Sequence, residues 1–410
     1  MSIATFLQDG DTLLHSAVRG GHLSILQWLL ERTEINPNSV NKHGNTPFDI
    51  AAEKDRLKIL KLLLERTSID PKKVYKDGNT VLHKAVRSGK LEMVKLLLKT
   101  SNLDPNQENK YGDTPLHAAA KGGFINIVKL LLERADIDPN KKNRYNGNTT
   151  LHVAAENGNL DIVQLLLERT DIDLNKENKD GDTLLQSAVR CGHLNILKWL
   201  LETTKIDPNS LNKDGDTLLH SAVRSGHLNI LKWLLETTKI DPNSLNKDGD
   251  TLLHSAVRSG HLNILQWLLE RTKIDPNSKN KDGDTLLHSA VRSGHLNILQ
   301  WLLERTKIDP NSVNKINDDT PLHTAVRSGN LNMVQFLLER RDIDPDKVDK
   351  INGDTPLHTA VKDQNLKMVQ LLLERKDIDP VKVNKHNKTP IDVFEARDWI
   401  LEIDNQIKKQ

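Results

Sequence analysis

Hydrophobic and polar positions follow one another along this chain in a pattern that returns about every 34 residues. The stretch from Gly215 to Asp248 recurs almost unchanged directly after itself, and looser copies fill the rest of the chain. One threonine marks each of the twelve repeats, numbered here in chain order: Thr12, Thr46, Thr80, Thr114, Thr149, Thr183, Thr217, Thr251, Thr285, Thr320, Thr355 and Thr389. The step is 34 residues, except into repeats five, ten and eleven, where it is 35. A fixed period of this length indicates a stack of similar units instead of one globule.

Each repeat predicts two helices. In repeat seven, a turn rich in Asn, Asp and Gly precedes Thr217, whose hydroxyl can accept hydrogen bonds from the first turn of a short helix. Gly226 ends that helix, and the run from Leu228 to Leu235 is apolar on all sides, so neighbours must cover it. Pro242 then stops the second helix. A single pair cannot bury its own apolar surface, so we expect stability to come from stacking of repeats.

These residues resemble a known family. Residues 113–117 read Asp-Thr-Pro-Leu-His, and three alanines, two glycines, an apolar run at 127–132 and Asp-Pro-Asn at 138–140 follow. The pattern closely resembles the ankyrin repeat, over nearly all 410 residues. The resemblance implies an all-α solenoid of stacked antiparallel helix pairs, with β-hairpin-like fingers projecting at the joints. In repeats two, six and twelve, the histidine of the motif is replaced by Asp49, Gln186 and Asp392.

The ends of the array predict caps, because a stack leaves an apolar face open at each terminus. We assign residues 1–9 as an N-terminal capping segment and residues 10–388 as the repeat array, with eleven full repeats. Residues 389–410 are assigned as a C-terminal capping repeat.

Composition narrows the classes of function. Charged residues make up 28% of the chain and the formal net charge is +2, so no strong field favours nucleic acid or an anionic membrane. Aromatic residues are only 3%, which leaves few rings for base stacking. Cys191 is the lone cysteine, and the sequence has neither a signal-peptide core nor an apolar run of membrane-spanning length. We expect a monomer in the cytoplasm, or in a host-cell cytosol if the chain is an exported effector.

Several motifs suggest chemistry but favour architecture. The Asn212–Asp216 turn resembles the start of an EF-hand calcium loop, yet the twelfth position is Val223 where a glutamate is needed. The histidines form rows along the stack instead of one converging ligand set. The family resemblance implies that the imidazole of each Thr-x-x-His motif bonds the threonine hydroxyl and a neighbouring loop. A serine, histidine and aspartate recur together in adjacent repeats without a unique pocket. We predict no catalytic residue, no metal and no cofactor.

Five tryptophans share one position of the second helix, where other repeats carry leucine or phenylalanine: Trp28, Trp199, Trp233, Trp267 and Trp301. Exchange among large apolar residues predicts a core column. The alternative is an aromatic strip that docks a partner.

Two charged columns run through the repeats, one mostly basic and seven residues after each threonine, the other mostly acidic or amide and directly before it. The favoured interpretation is that the columns neutralise each other as exposed pairs. The alternative is an arginine ladder for an extended acidic partner. The candidate binding residues of the basic column are Arg87, Lys121, Arg190, Arg224, Arg258, Arg292 and Arg327.

The three tyrosines, Tyr75, Tyr111 and Tyr145, all fall in the fingers of repeats three to five. Exposed tyrosines are enriched in interface hot spots. Three further departures from the repeat pattern lie nearby: Phe124, Arg144 and Glu156. We therefore predict that the surface of residues 75–157 holds the most selective site, the alternative being simple drift of older repeats. Repeats six to nine are nearly uniform, which suits a spacer or a multivalent strip.

Together these features predict a non-enzymatic scaffold or adaptor that binds partner proteins through its concave finger and first-helix surface. Two alternatives stay open. The chain is a targeting subunit for a catalytic partner chain, or, by analogy with long duplicated arrays of this family, a host-directed effector of an intracellular microbe.

Overall fold

The computed structural model describes residues 10–32, 35–67, 74–75, 77–99 and 103–393. Within these residues the regular secondary structure is entirely α-helical, with 22 helices and no strand. Each of the first eleven repeats contributes one pair. The N-terminal capping segment and residues 394–410 of the C-terminal capping repeat lie outside the described residues.

The first helices of the pairs begin directly after the repeat threonines. They are α1 Leu13–Gly20, α3 Pro47–Glu53, α5 Val81–Arg87, α7 Pro115–Lys121, α9 Thr150–Glu156, α11 Leu184–Arg190, α13 Leu218–Arg224, α15 Leu252–Arg258, α17 Leu286–Arg292, α19 Pro321–Arg327 and α21 Pro356–Lys362. The second helices are α2 Leu23–Leu30, α4 Leu57–Arg66, α6 Leu91–Leu98, α8 Ile125–Leu132, α10 Leu160–Leu167, α12 Leu194–Thr203, α14 Leu228–Thr237, α16 Leu262–Arg271, α18 Leu296–Arg305, α20 Leu331–Leu338 and α22 Leu366–Leu373.

The threonine caps each first helix, as the sequence predicts. In α7, Thr114 has an extended backbone at φ −88° and ψ 167°, and its hydroxyl accepts from the backbone N–H of His117 at 3.4 Å. The His117 Nδ1 in turn accepts from the backbone N–H of Thr114 at 3.2 Å. This reciprocal capping box satisfies two amides that a helix start would otherwise leave unpaired.

The core lies between neighbouring repeats. In repeat eight, Leu253, Val257, Ile264, Leu265 and Leu268 are all 0% exposed. Helix α15 packs against α16 of its own repeat and against α13 and α17 of the flanking repeats. The predicted burial of each pair by its neighbours is therefore confirmed. The chain divides into two compact units, one ending at Ile206 and the other beginning at Asp207, and this stacking holds within each.

The fingers are tight turns that hydrogen-bond to one another. In repeat nine, Asn280 N–H donates to the Asp284 carbonyl at 3.1 Å and Gly283 N–H donates back to the Asn280 carbonyl at 2.9 Å. Lys281 N–H donates to the Asp248 carbonyl of the preceding finger at 3.0 Å. This finger is thus hairpin-like, and a backbone bond ties it to the preceding finger, as Lys247 N–H to the Asp214 carbonyl does one repeat earlier.

The tryptophan column is not part of the core, so that prediction is wrong. The rings of Trp199, Trp233, Trp267 and Trp301 are half-buried, and Trp28 is 50% exposed. The interior face of the second helix belongs to residues such as Ile264, Leu265 and Leu268, which leaves the tryptophan position at the rim.

Candidate functional site

The motif histidines form a buried row that joins consecutive repeats. In all nine Thr-x-x-His motifs, Nδ1 lies 2.8–3.0 Å from the threonine hydroxyl. The Nε2 atom lies 2.8–3.2 Å from a backbone carbonyl of the next finger. A carbonyl only accepts, so Nε2 carries the proton and Nδ1 accepts. The role implied by the family resemblance is confirmed. No group of three metal-ligating side chains converges within the described part of the chain.

The charged columns pair with each other, but the acid is buried. In repeat eight, Arg258 Nη1 lies 2.9 Å from Asp250 Oδ2, and Asn280 of the next finger donates to Asp250 Oδ1 at 3.0 Å. The Asp250 side chain is 0% exposed, whereas that of Arg258 is 32% exposed. The same pairing joins Arg19 to Asp11, Arg190 to Asp182, Arg224 to Asp216, Arg292 to Asp284, Arg327 to Asp319 and Lys362 to Asp354. The favoured interpretation of mutual neutralisation is confirmed, whereas the expectation that the pairs are fully exposed is wrong.

Carboxyl groups at the finger tips engage three of these arginines a second time. Asp180, Asp214 and Asp248 lie 3.3–3.5 Å from Arg190, Arg224 and Arg258 respectively. Glu156 of repeat five also reaches Arg190 at 3.3 Å. Burial alone would lower the pKa of Arg190, but the charges of Asp182 and Glu156 outweigh it and raise the pKa.

An open cleft of about 530 Å³ lies between the fingers of repeats four and five and the helices beneath them. Tyr111 and Tyr145 form its finger side, and Lys121 and Glu156 line it from the ends of α7 and α9. Tyr111 is 48% exposed and Tyr145 is 77% exposed. Four of the candidate binding residues therefore meet at one site, which we call the tyrosine cleft.

Backbone bonds fix the two tyrosines relative to each other. The Tyr111 N–H donates to Asn109 Oδ1 at 2.9 Å, and the Tyr111 carbonyl accepts from the N–H groups of Arg144 and Tyr145, both at 3.0 Å. Gly112 makes this approach possible, because its φ is +80° and a Cβ there would lie 2.1 Å from Arg144 N. The one-residue insertion of repeat five thus places Tyr145 beside the neighbouring finger.

Some polar groups of the tyrosine cleft have hydrogen-bond or ion-pair partners, and others have none among the described residues. Asp113 accepts from Asn143 Nδ2 at 2.9 Å, and Glu156 is held by Arg190. Lys121 lines the cleft without an ion pair to any described residue. Asn148 also lines the cleft and is 0% exposed, and no hydrogen-bond acceptor among the described residues meets its Nδ2 group.

Tyr75 lies apart from the other two tyrosines. It contributes to a second cleft of about 460 Å³ at the fingers of repeats two and three, together with Val40 and Val74. There, Lys84 Nζ sits 3.5 Å above the Tyr75 ring and donates to Asn45 Oδ1 at 2.9 Å. The three tyrosines consequently belong to two clefts, not to one continuous site.

The remaining predicted residues of this region lie outside the tyrosine cleft. Phe124 packs its ring over Gly89 of the preceding repeat, the contact that a histidine makes elsewhere. Arg144 forms an ion pair with Glu108 at 2.6 Å. Burial would raise the pKa of Glu108, but Lys141 and Arg144 outweigh it and lower the pKa. Arg87 is exposed at the end of α5.

Asn148 is the functional candidate that our sequence-based prediction did not single out. Repeat five combines an amide before its threonine with Glu156 seven residues after it, the reverse of the usual Asp and Arg pattern. Repeat two has the same reversal with Asn45 and Glu53, but Asn45 is only half-buried and its Oδ1 accepts from Lys84 of the next repeat at 2.9 Å.

Stacked helix pairs, a structural histidine row and a solvent-facing cleft define an interaction repeat protein. Models of ankyrin repeats match residues 3–75, 67–143, 135–212, 203–280, 272–349 and 328–373. The chain belongs to the ankyrin repeat family, whose repeats are non-catalytic modules of protein–protein interaction. None of the curated proteins matches it. Among the described residues, no helix is both long and apolar enough to cross a membrane.

Proposed function

We propose that the chain is a non-enzymatic scaffold that binds a partner protein selectively through the tyrosine cleft. The observation that carries this proposal is the convergence of Tyr111 and Tyr145 on one cleft of about 530 Å³. Tyrosine adds large contact area with little loss of side-chain entropy, and a cleft floor shields a docked group from water.

The charge pattern supports the same location. In repeats six to nine, each arginine of the basic column is already held by a buried aspartate of its own repeat. An acidic partner would have to compete with those pairs, so the near-identical repeats offer little net attraction. Repeats four and five instead carry Lys121 and Glu156 in this column, whereas both flanking repeats carry an arginine there. Arg87, Phe124, Arg144 and Tyr75 surround this centre and are proposed as peripheral contacts.

The test is affinity capture with wild-type protein and with a Tyr111→Ala/Tyr145→Ala variant as baits. The matched control is Ile316→Ala/Ile351→Ala, because these residues occupy the tips of the two other lengthened fingers and are 54% and 59% exposed. A hot-spot tyrosine contributes about 2 kcal/mol or more, so the tyrosine variant should weaken binding at least about thirtyfold. Partners that bind the wild type and the isoleucine control, but not the tyrosine variant, support the proposal. Equal capture by all three baits contradicts it.

A further inference from the structure

Two donors that line the tyrosine cleft, Lys121 and Asn148 Nδ2, have no ion pair or acceptor within the part of the chain that the structure describes. Both acidic side chains are engaged, Asp113 by Asn143 at 2.9 Å and Glu156 by Arg190 at 3.3 Å. Lys121 has no ion pair with a described residue, although Lys362 in the same register of repeat eleven reaches Asp354. The cleft therefore offers a cation without an attached anion.

Asn148 adds a second donor. Its Oδ1 accepts from Asn178 Nδ2 at 3.0 Å, which fixes the orientation of the side-chain amide. The remaining Nδ2 group is the one side-chain amide nitrogen among the described residues that is buried without a hydrogen-bond partner. A buried donor without an acceptor destabilises the free protein, so a ligand that supplies the acceptor recovers that free energy on binding.

We propose that the tyrosine cleft recognises a carboxylate, presented by an aspartate or glutamate side chain of an extended partner segment. One carboxylate oxygen would accept from Asn148 Nδ2 and the other would face Lys121, while neighbouring apolar side chains of the segment contact Tyr111 and Tyr145. This inference rests on the proposed function and names the chemistry of its partner. It also means that an acidic partner is recognised by repeats four and five, and not by the arginine column, whose members are already paired with aspartates.

The residue changes that test this proposal are already present elsewhere in the array. Asn148→Asp places the usual acid before the repeat threonine and replaces the donor with a charge that repels a carboxylate. The double variant Asn148→Asp/Glu156→Arg recreates the aspartate–arginine pair that repeat eight forms at 2.9 Å, so it is expected to fold. Lys121→Gln removes the cation. The matched control is Lys362→Gln, which removes a lysine of the same column that is engaged with Asp354.

The experiment measures fluorescence anisotropy of labelled ten-residue peptides with amidated C-termini, so that only side chains carry carboxylates. One peptide alternates leucine and glutamate, and the other alternates leucine and glutamine. The wild type should bind the glutamate peptide at least about tenfold more tightly, because a hydrogen bond to a charged group contributes about 1.5–3 kcal/mol. The cleft variants should each lose that preference and the Lys362→Gln control should keep it, with circular dichroism verifying the fold of every variant.

Equal binding of the two peptides by the wild type would overturn the inference, as would an unchanged preference in the double variant. A partner captured through the tyrosines whose affinity does not respond to Lys121→Gln or Asn148→Asp would also overturn it, while leaving the proposed function intact. Tyr111→Ala/Tyr145→Ala should weaken both peptides alike, which separates the contact surface from its charge recognition.

Discussion

The buried histidine row predicts a specific loss of stability in mild acid, and His152 gives its magnitude. The side chain is 1% exposed, its Nδ1 accepts from the Thr149 hydroxyl at 2.8 Å, and its Nε2 donates to the Asp182 carbonyl at 3.2 Å. Burial is the main cause that lowers the pKa of His152 from 6.5 to about 4. Protonation would also place a hydrogen on Nδ1, where the threonine hydroxyl already donates one.

The direction of the pH dependence follows from these values. The unfolded chain takes up a proton near pH 6.5, whereas the folded chain resists protonation of His152 until about pH 4. The stabilisation is therefore fully present above pH 6.5 and is lost as the pH falls toward 4. Each pH unit in this window removes up to about 1.4 kcal/mol, so His152 alone lowers the free energy of unfolding by about 2 kcal/mol between pH 7 and pH 5.

Most other groups with a shifted pKa reinforce this effect or titrate below its pH window; Asp346, whose pKa burial raises, acts in the opposite direction. Burial is likewise the largest cause that lowers the pKa of seven further histidines of the row: His83, His117, His220, His254, His288, His323 and His358. Burial would raise the pKa of Asp354, but its bonds with Lys362 and Asn384 outweigh burial and lower the pKa below 3.8. That contribution is present above pH 3.8 and is lost only below it, so carboxyl groups of this kind do not mask the histidine effect.

Urea unfolding followed by far-ultraviolet circular dichroism at pH 7, 6 and 5 measures the effect, with His152→Gln as the perturbation. Repeat six already carries Gln186 at this position, and its Oε1 accepts from the Thr183 N–H at 3.0 Å, so the variant keeps the cap. It should be less stable than wild type at pH 7, but its loss of stability between pH 7 and pH 5 should be about 2 kcal/mol smaller. The control His386→Gln changes an exposed finger histidine and should behave as wild type. A pH dependence identical in His152→Gln and wild type would show that His152 does not cause the loss of stability in acid.

Two further predictions concern the stability of the array. Gly112→Ala should cost about 3 kcal/mol or more, because a left-handed backbone and a Cβ 2.1 Å from Arg144 N act together. At Gly44 the φ is +75° and an added Cβ would have no atom within 4 Å, so Gly44→Ala should cost only about 1–2 kcal/mol in the same urea titration. Equal costs for the two glycine variants would contradict the close finger contact at Gly112. Asp250→Ala should cost about 2 kcal/mol or more because it removes the buried partner of Arg258 and leaves the Asn280 amide without its acceptor. Asp248→Ala, which removes a side chain that is 62% exposed, should stay within about 0.5 kcal/mol. Thermal unfolding that ranks the two aspartate variants alike would show that the buried pair is not important for stability.

The fold could be predicted from the sequence because its determinants are local and repeated. A threonine before an apolar helix, a glycine between helices and a proline after them each restrict the backbone on their own, and twelve copies remove ambiguity. The histidine contacts followed from the family resemblance. These features involve neighbours along the chain or one fixed step away, so the period alone locates their partners.

Burial at the edges of the repeats was harder to predict. Tryptophan and leucine exchange in the second helix suggested a core position, yet both are tolerated at a half-buried rim, where Trp28 is 50% exposed. The aspartate column had the composition of a surface, but the asparagine of the next finger covers it, as Asn280 covers Asp250. That asparagine lies 30 residues away and serves a finger of its own, so its second role is visible only in three dimensions.

The candidate site was predicted in part. Clustering of tyrosines pointed to residues 75–157, and Tyr111 and Tyr145 do share a cleft. Tyr75 occupies the position that asparagine holds in other fingers, and Lys84 covers its ring, which composition alone did not reveal. The Asn148 Nδ2 group is buried without an acceptor, while Asn178 of the next finger occupies only its Oδ1, and no single motif encodes this arrangement.

Hydrogen exchange with mass spectrometry can show whether a partner is recognised selectively by the fingers and first helices of repeats four and five. The protein would be compared alone and in complex with a partner captured by the wild-type bait. We expect slower exchange in residues 109–121 and 143–157 of the complex, and an unchanged exchange rate in the near-identical repeats at residues 217–305. Protection spread along those uniform repeats, with none at the tyrosine cleft, would contradict this expectation.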